Sequence, residues 1–451
     1  MKVAVIGTGY VGLVSGVCLS AKGHDVTCVD VNDAIVASLN EGRPHIHERD
    51  LPELLSEVIA EGRFRATTDL SAALESADLV IVAVGTPSAD GVIDLRFILT
   101  AVGQIGDWLC ASGRFLPVII KSTVVPGTTD GVVLAEIEKH SGLKLGDFGL
   151  GMNPEFLREG EAVDDFLNPD RIVLGHEDEA TLRALKTLYA PWDCDKLAVS
   201  TRTAEMIKYT NNAILAVQIS AMNELANVAT RLGGIDMRDV VEGVSLDRRW
   251  SPIVDGTRIR PGITTYLVPG CGFGGSCFPK DVQAIRSLGE TTGLPMHMLN
   301  GVLKVNENQP HEVVRILEAK NGSLRDANVL LLGLAFKPGT DDVRETASLP
   351  IIRDMINAGA VVTAHDPIAI DGFKSVLGDD VGKVRFVDAW EPELPHHDIV
   401  VIATRWDEYR RLAGTIGAGK TVFDIRRLLS PRDVGDANYL TIGRSERRQS
   451  A

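Results

Sequence analysis

Short apolar runs recur along the first part of the chain, at 2–6 (KVAVI), 26–30 (VTCVD), 79–84 (LVIVAV), 117–121 (PVIIK) and 171–175 (RIVLG), separated by stretches of helical length. Continuous apolar runs of this length suit strands buried on both faces, and their alternation with helices predicts a parallel sheet covered on both sides. Between 203 and 232 the pattern changes to that of one long helix, with Met206, Ile207, Ile214, Leu215, Ile219, Met222 and Leu225 set among few breakers. Such a helix could connect two domains. Glycine and proline crowd positions 246–280, which predicts irregular backbone, and helical periodicity returns over 281–320. The first pattern then resumes, with strands expected at 328–334, 360–365, 398–403 and 421–425 and a helix at 347–358. The two α/β ends are candidates for distant structural echoes of one another. The tail from about 442 (GRSERRQSA) is polar and is expected to lack fixed structure.

With 451 residues the chain is too long for one compact core. It reads as 1–202, an α/β domain; 203–310, a central helical domain; 311–442, a second α/β domain; and 443–451, a polar tail. Lys and Arg number 46 against 61 Asp and Glu, a net charge of −15, which argues against nucleic acid as a partner. Any anionic ligand must therefore meet a local positive site. The six cysteines, at 18, 28, 110, 194, 271 and 277, are too sparse for a disulfide framework and form no CxxC pair, so no metal site is expected. They read as reduced thiols of a cytoplasmic protein. The first residues pass straight into an apolar strand without a leader pattern, and the best apolar run, 79–84, is far short of a bilayer span. No membrane association is expected.

Three constellations carry chemistry. Gly7-Thr8-Gly9-Tyr10-Val11-Gly12 follows a strand and opens a helix, and Asp30 closes the next strand. This is the dinucleotide fingerprint in its required context. Gly7 permits the tight turn, Gly9 lets backbone approach a pyrophosphate at the helix N-terminus, and Gly12 lets helix and strand pack closely. Asp30 would accept from the adenosine ribose hydroxyls and repel a 2′-phosphate, which favours NAD over NADP. The fold class expected is therefore α/β, two Rossmann-like doubly wound parallel-sheet domains joined by the central helical domain. The second constellation is Cys277 in GFGGSCFPKD. Pro279 suits the first turn of a helix, so Cys277 would stand just before a helix N-terminus, where the dipole favours thiolate. A buried structural cysteine is the competing reading, and the surrounding glycines and Asp281 weigh against it. In the third, EMIKYTNN (205–212), Lys208 and Asn212 are four apart on one helix face and could converge on a developing oxyanion. Spacing alone favours the plainer reading, a solvated polar stripe.

These residues carry a resemblance over nearly the whole chain. GTGYVG, GTPS (85–88), KSTVVPGT (121–128), NPEFLREG (153–160), EMIKYTNN, GFGGSCFPKD (272–281) and GLAFKPGTDDVRE (333–345) resemble, in order, the motifs of the UDP-glucose/GDP-mannose dehydrogenase family. The resemblance implies oxidation of a nucleotide-sugar C6 alcohol to a carboxylate with two NAD, through a thiohemiacetal and a thioester on Cys277. It assigns Lys208 and Asn212 to oxyanion stabilisation, Asp281 and Glu155 to proton transfer and water activation, and Thr123 to orienting a water or the cofactor. It implies cofactor contacts from Gly7, Gly9, Tyr10, Val11, Gly12, Asp30, Thr86, Pro87, Thr123, Glu155, Lys280 and Arg344. Substrate contacts would come from Glu155, Phe156, Leu157, Arg158 and Glu159, from Lys208 and Asn212, and from Arg249 of a neighbouring subunit. Tyr266, Leu267, Val268, Pro269, Gly270, Gly274 and Lys337 complete that set. The last domain would bind the nucleotide, the active site would lie between the end domains, and the unit would be a homodimer or a higher homo-oligomer.

The chain departs from the family's pattern at Ile35, where a Lys or Arg is often found; at Ile425, where glycine is usual beside Arg426; and in a longer stretch at about 250–265, containing Arg258 and Arg260. FLREGEAVDDFLNPDRIVLG and GGSCFPKD resemble members acting on UDP-glucose more than those acting on GDP-mannose. The same reaction on GDP-mannose or another nucleotide-hexose remains an alternative. So do a two-electron hydroxy-acid dehydrogenase, which would need no cysteine, and a non-catalytic dinucleotide-binding protein, which would have no need of Cys277 and its partners.

Overall fold

A computed structural model describes residues 1–89 and 91–445, and the chain divides into two compact units, 1–211 and 212–451. In the first unit the strands are β1 (Lys2–Ile6), β2 (Asp25–Val29), β3 (Phe64–Thr67), β4 (Leu79–Val82), β5 (Pro117–Ile120), β6 (Gly149–Met152), β7 (Arg171–His176) and β8 (Asp195–Val199). They form a sheet in the order 3-2-1-4-5-6-7-8, parallel throughout except that β7 runs antiparallel to β6. The order reverses between β1 and β4, the switch point at which open α/β sheets leave a crevice at the carboxyl ends of their strands. Val3 to Ile6 and all of β4 are buried, as covering both faces demands. Each such aliphatic side chain contributes roughly 1.5–3 kcal/mol by leaving water. Helix α1 (Tyr10–Ala21) packs Leu13, Val14, Val17 and Leu19 into one of the two cores that flank this sheet.

The second unit carries β9 (Asn328–Leu332), β10 (Val361–His365), β11 (Val384–Phe386), β12 (Ile399–Ile402), β13 (Thr421–Asp424) and β14 (Asn438–Leu440). All pairings are parallel and the spatial order is 11-10-9-12-13-14. The second sheet thus repeats the 3-2-1-4-5-6 order of the first, as the two similar ends of the sequence suggest. Short β3, β6, β8, β11 and β14 are absent from the expected pattern. Three of them are weak sequence signals for plain reasons: β6 is half glycine, β8 is mostly exposed, and β11 has three residues.

The long helix expected from 203 is α2 (Thr201–Leu232), about 48 Å at 1.5 Å per residue, and the division between the units falls within it. The single helical stretch expected over 281–320 is two helices, α3 (Phe278–Thr291) and α4 (His297–Asn321), interrupted where Gly293 takes φ +79° and Pro295 follows. Within 250–265 the chain makes a small hairpin, Ile253–Val254 with Thr257–Arg258, turned by Asp255 and Gly256 at positive φ, the chemistry of a two-residue turn. One expectation is corrected. The start of the polar tail is pinned rather than loose, because Gly443 donates to Thr230 Oγ1 (2.9 Å), Met237 donates to the Gly443 carbonyl (2.9 Å), and Gly234 donates to the Ser445 carbonyl (2.8 Å). Those partners are polar groups in the last turn of α2 and just beyond its end. The remainder of the tail, 446–451, lies outside the described residues.

Candidate active site

In the first unit the expected cofactor residues gather at the carboxyl ends of β1, β2, β4, β5 and β6. Gly7 takes φ +94° and donates to the Val29 carbonyl at 2.8 Å, closing the turn out of β1. A Cβ on Gly12 would stand 2.0 Å from the Gly7 carbonyl oxygen, so only glycine lets α1 begin there. A Cβ on Gly9 would meet no protein atom within 4 Å, and the N-terminus of α1 has no side-chain cap. Open backbone amides at an uncapped helix start fit a dinucleotide pyrophosphate. Asp30 Oδ2 accepts from the Thr8 amide at 3.1 Å and from the Thr8 hydroxyl, and Oδ1 accepts from Asn32 at 3.0 Å. Burial works against its charge, but these bonds hold the carboxyl below its ordinary pKa, so it stays an anionic acceptor. Val11 follows on α1, while half-buried Thr86 and exposed Pro87 lie beyond β4. Ile35 packs against the N-terminal core and offers no charge.

Glu155, beyond β6, is buried, and its Oε1 lies 2.7 Å from Lys208 Nζ on α2; both side chains are 5% exposed. The Leu157 amide donates to its other oxygen at 2.7 Å. Burial would raise the carboxyl's pKa, but Lys208 outweighs it and the net direction is downward. The competing reading of Lys208 as a solvated stripe is therefore wrong for this residue. Thr123 is half-buried beyond β5. Phe156 lies under Lys208 at 5.6 Å and Arg171 at 3.9 Å, whereas Arg158 is exposed and paired with Asp165 at 2.6 Å and Glu161 at 2.7 Å. Glu159 is half-buried on the same loop. That loop is clasped to α1 by Glu48, which accepts from Tyr10 Oη, Gly160 N (2.6 Å) and Ala162 N (3.0 Å).

Lys121, in KSTVVPGT, belongs to the same buried cluster although no motif role marks it. It is buried, donates to Asn153 Oδ1 at 2.8 Å, lies 5.4 Å over the Phe166 ring, and interacts with Glu155 and Lys208. Burial pulls its pKa down to about 8. Glu205, at the head of EMIKYTNN, is a second residue that no motif role marks. Its carboxylate receives Gly127 N (2.6 Å) and Thr129 N (2.8 Å), fastening the first turns of α2 to the loop that follows Thr123. Burial raises its pKa.

In the second unit Cys277 is the N-cap residue of α3, with Pro279 in the first turn. Asp281 is 1% exposed; its amide donates to the Cys277 carbonyl (2.8 Å), its Oδ2 accepts from Asn212 Nδ2 (2.7 Å), and its Oδ1 faces Lys280 Nζ (2.9 Å). None of the six cysteines forms a disulfide, and burial pushes the thiol pKa of Cys18, Cys28 and Cys271 up, as it does that of Cys194. Buried thiols of that kind make poor nucleophiles; Cys277 alone sits at a helix start beside a buried acid and its amide partner. The loop before it is backed by the segment after β9: Gly275 donates to the Arg344 carbonyl (2.9 Å), and a Cβ on Gly274 would lie 2.2 Å from Glu345 O. The Arg344 guanidinium itself grips Asp342 at 2.8 Å.

A cleft in the same unit is lined by Tyr266, Val268, Pro269, Gly270, Gly274, Lys337, Arg405 and Arg426. Six expected substrate residues thus share one cleft. Leu267 does not offer its side chain there, because it is 3% exposed in the core. Gly270 is fixed by Asn223, which accepts from its amide (2.8 Å), and by Gln309, which donates to its carbonyl (2.9 Å). Arg426 donates to the carbonyls of Ala403, Gly272 and Phe336, while buried Ile425 fills the core behind it. Arg249 is exposed and bonded to Asp247 at 2.6 Å, outside this cleft. Arg258 donates to Leu246 O and Ser251 O, and Arg260 grips Glu242, so both brace the hairpin rather than face a ligand. Arg405 carried no motif signal. The second sheet has its own analogue of Asp30 in Asp366, just past β10, whose Oδ2 accepts from Leu334 N, Ala335 N and Trp406 Nε1 and whose Oδ1 accepts from Ile368 N and Ala369 N.

Comparison with known proteins agrees along the whole chain. Residues 1–193 match the NAD binding domain of the UDP-glucose/GDP-mannose dehydrogenase family, 202–308 its central domain and 330–431 its UDP binding domain. A UDP-glucose 6-dehydrogenase of Haloferax volcanii is 39% identical over 442 residues, 96% of this chain and 98% of its own. One of Bacillus subtilis is 35% identical over 450 residues, 98% of this chain and 93% of its own. The solved structure of a UDP-glucose dehydrogenase from Pyrobaculum islandicum matches with a TM-score of 0.88 at 40% identity, covering 98% of each chain. With its NAD-binding turn, its helix-capping cysteine and its cationic cleft in the family's order, the chain belongs to the UDP-glucose/GDP-mannose dehydrogenase family, and its cofactor is NAD.

Proposed function

We propose that the chain oxidises the C6 alcohol of UDP-glucose to the carboxylate of UDP-glucuronate, reducing two NAD and consuming one water per sugar. The observation that carries this reading is Cys277 at the N-cap of α3 with buried Asp281 one turn on, bonded to Asn212. The substrate is supported by the UDP-glucose dehydrogenases to which the chain is similar. NAD, held at Gly7 to Gly12 and Asp30, would supply the hydride acceptor for each of the two oxidations. The chain's residues do the rest. The Cys277 thiolate adds to the aldehyde carbon to give a thiohemiacetal, and loss of the second hydride from that carbon leaves a thioester. Water then adds, and the sulfur departs as thiolate. Lys208 and Asn212 donate to the oxygen as it gathers negative charge. Asp281 accepts and returns protons, Glu155 activates the water, and Thr123 orients it.

Gly7 to Gly12, Asp30, Thr86, Pro87, Lys280 and Arg344 serve the cofactor in this reading. Glu155 to Glu159, Tyr266, the backbone of Leu267, Val268 to Gly270, Gly274, Lys337 and Arg249 serve the substrate. The parts are an NAD-binding domain over 1–202, a helical domain over 203–310 and a nucleotide-sugar-binding domain over 311–442. The enzyme works in the cytoplasm as a homodimer or larger homo-oligomer. Six cysteines outside any disulfide suit a reducing compartment, and exposed Leu225, Val228 and Leu232 on α2, with Val240 and Val244 on the helix that follows, suit contact with a second copy. Among the described residues no helix is long and apolar enough to cross a membrane.

The test is a panel of nucleotide-sugars with NADH release followed by absorbance. Two NADH per UDP-glucose are expected, with a sugar adduct on Cys277 visible by mass spectrometry in a Glu155→Gln variant. Silence on UDP-glucose with turnover of GDP-mannose, or one NADH per sugar, overturns the reading.

A further inference from the structure

The cleft that holds Tyr266, Gly270 and Lys337 contains three cations, and they differ in what engages them. Arg426 has its donors on the carbonyls of Ala403, Gly272 and Phe336. Lys337 lies 5.8 Å over the Phe336 ring. Arg405 is exposed at the cleft and, among the described residues, has neither a hydrogen bond nor an ion pair. Its neighbours on the same short segment are not like this. Arg410 faces Asp407 at 3.2 Å and Arg411 faces Glu391 at 2.9 Å, as expected in a chain with a net charge of −15.

The backbone on either side of Arg405 is fastened. Thr404 is buried and donates to the Ala335 carbonyl at 2.5 Å. Trp406 Nε1 donates to Asp366 at 3.1 Å, and the same Asp366 oxygen receives the amides of Leu334 and Ala335, at the root of the loop that carries Lys337. One buried carboxylate therefore ties the Arg405 segment and the Lys337 loop together as two walls of one cleft. An unengaged guanidinium held between two anchored residues is organised in advance for an anion, and its planar fork matches phosphate oxygens.

We infer that Arg405 is a specificity-determining residue that grips a phosphate of the nucleoside diphosphate part of the substrate. The inference rests on the nucleotide-sugar reading and adds to it a residue that the motifs do not mark.

The experiment compares the full-length chain with Arg405→Ala and Arg405→Lys. The expected result for Arg405→Ala is a KM for UDP-glucose higher by about tenfold or more, with kcat and the KM for NAD within about twofold of the parent. Inhibition by UDP should weaken by a similar factor while inhibition by uridine, which has no phosphate, stays put. Arg405→Lys should recover part of the loss. An unchanged KM and UDP affinity overturns the inference, as does equal weakening for UDP and uridine, which would mark collapse of the cleft instead of a lost phosphate contact. Should the parent chain leave UDP-glucose untouched, the proposed reaction is at fault, and UDP titrated calorimetrically into parent and Arg405→Ala still decides the residue's role.

Discussion

The buried pair of Glu155 and Lys208 offers a test that reads structure apart from catalysis. Each side chain is 5% exposed and they meet at 2.7 Å, with Lys121 as a second buried cation nearby. Replacing Lys208 by Met leaves an anionic carboxylate in a dry site with the Leu157 amide and Lys121 to offset it; replacing Glu155 by Gln leaves two buried ammonium groups that repel each other. Removing one partner of a buried ion pair costs about 3–5 kcal/mol, because the remaining charge has lost both water and counter-charge. The double replacement removes both and should recover much of that loss, so a double-mutant cycle should return a coupling of about 2 kcal/mol or more. Native-state hydrogen exchange of the amides of β5 and β6 measures the opening free energy of the first unit in all four proteins. The pH dependence has a definite sign. The carboxyl is held below its ordinary value of 4.5, so the pair's stabilisation is complete at neutral pH and fades as the pH falls from there through the lowered value. Additive losses, with coupling under about 0.5 kcal/mol, would refute the reasoning.

Gly12→Ala drives a methyl group onto the Gly7 carbonyl, a backbone atom that cannot step aside, and should raise the KM for NAD by at least tenfold while leaving UDP affinity in calorimetry unchanged. Cys277→Ser should abolish formation of the acid with little change in thermal midpoint, since serine is close to cysteine in size and the side chain is only half-buried at the start of α3; normal turnover would favour a two-electron dehydrogenase. Lys121 sheds its proton near pH 8 when folded and at about 10.5 when unfolded, so its contribution to stability rises across that interval. Urea denaturation of Lys121→Met should show a flatter gain between pH 8 and 10 than the parent, and parallel curves would contradict the burial argument.

What could be read from the chain and what could not follow from the kind of signal each residue leaves. β1, β4, β5, β9 and β12 announce themselves because a parallel strand covered on both faces must be apolar without interruption. Gly149–Met152 and Asp195–Val199 do not, since their neighbours in the sheet, and not their own side chains, make them strands. The dinucleotide turn and Cys277 were legible because backbone geometry and a helix start force particular residue types at fixed spacings. Glu48 leaves no such trace: it sits in an irregular segment, and its value comes from meeting Tyr10 and Gly160 across the fold. Lys121 and Arg405 were hidden for opposite reasons, one a lysine at the end of a buried strand, the other an arginine that resembles any solvated charge until its lack of a partner among the described residues is seen. Arg258 and Arg260, in the longer stretch beside the binding loop, carry no sequence signal for the bonds they make, to the Leu246 and Ser251 carbonyls and to Glu242.

The two sheets of this protein share one strand order, and each closes its second strand with an aspartate, yet only one of those acids can still greet a nucleotide. Asp30 keeps lone pairs for a visiting ribose, whereas five donors of its own chain already saturate Asp366. Repeating an architecture has therefore not doubled its cargo: the later half has turned its recognition group inward as a rivet, and calorimetric titration should count one dinucleotide per polypeptide, never two.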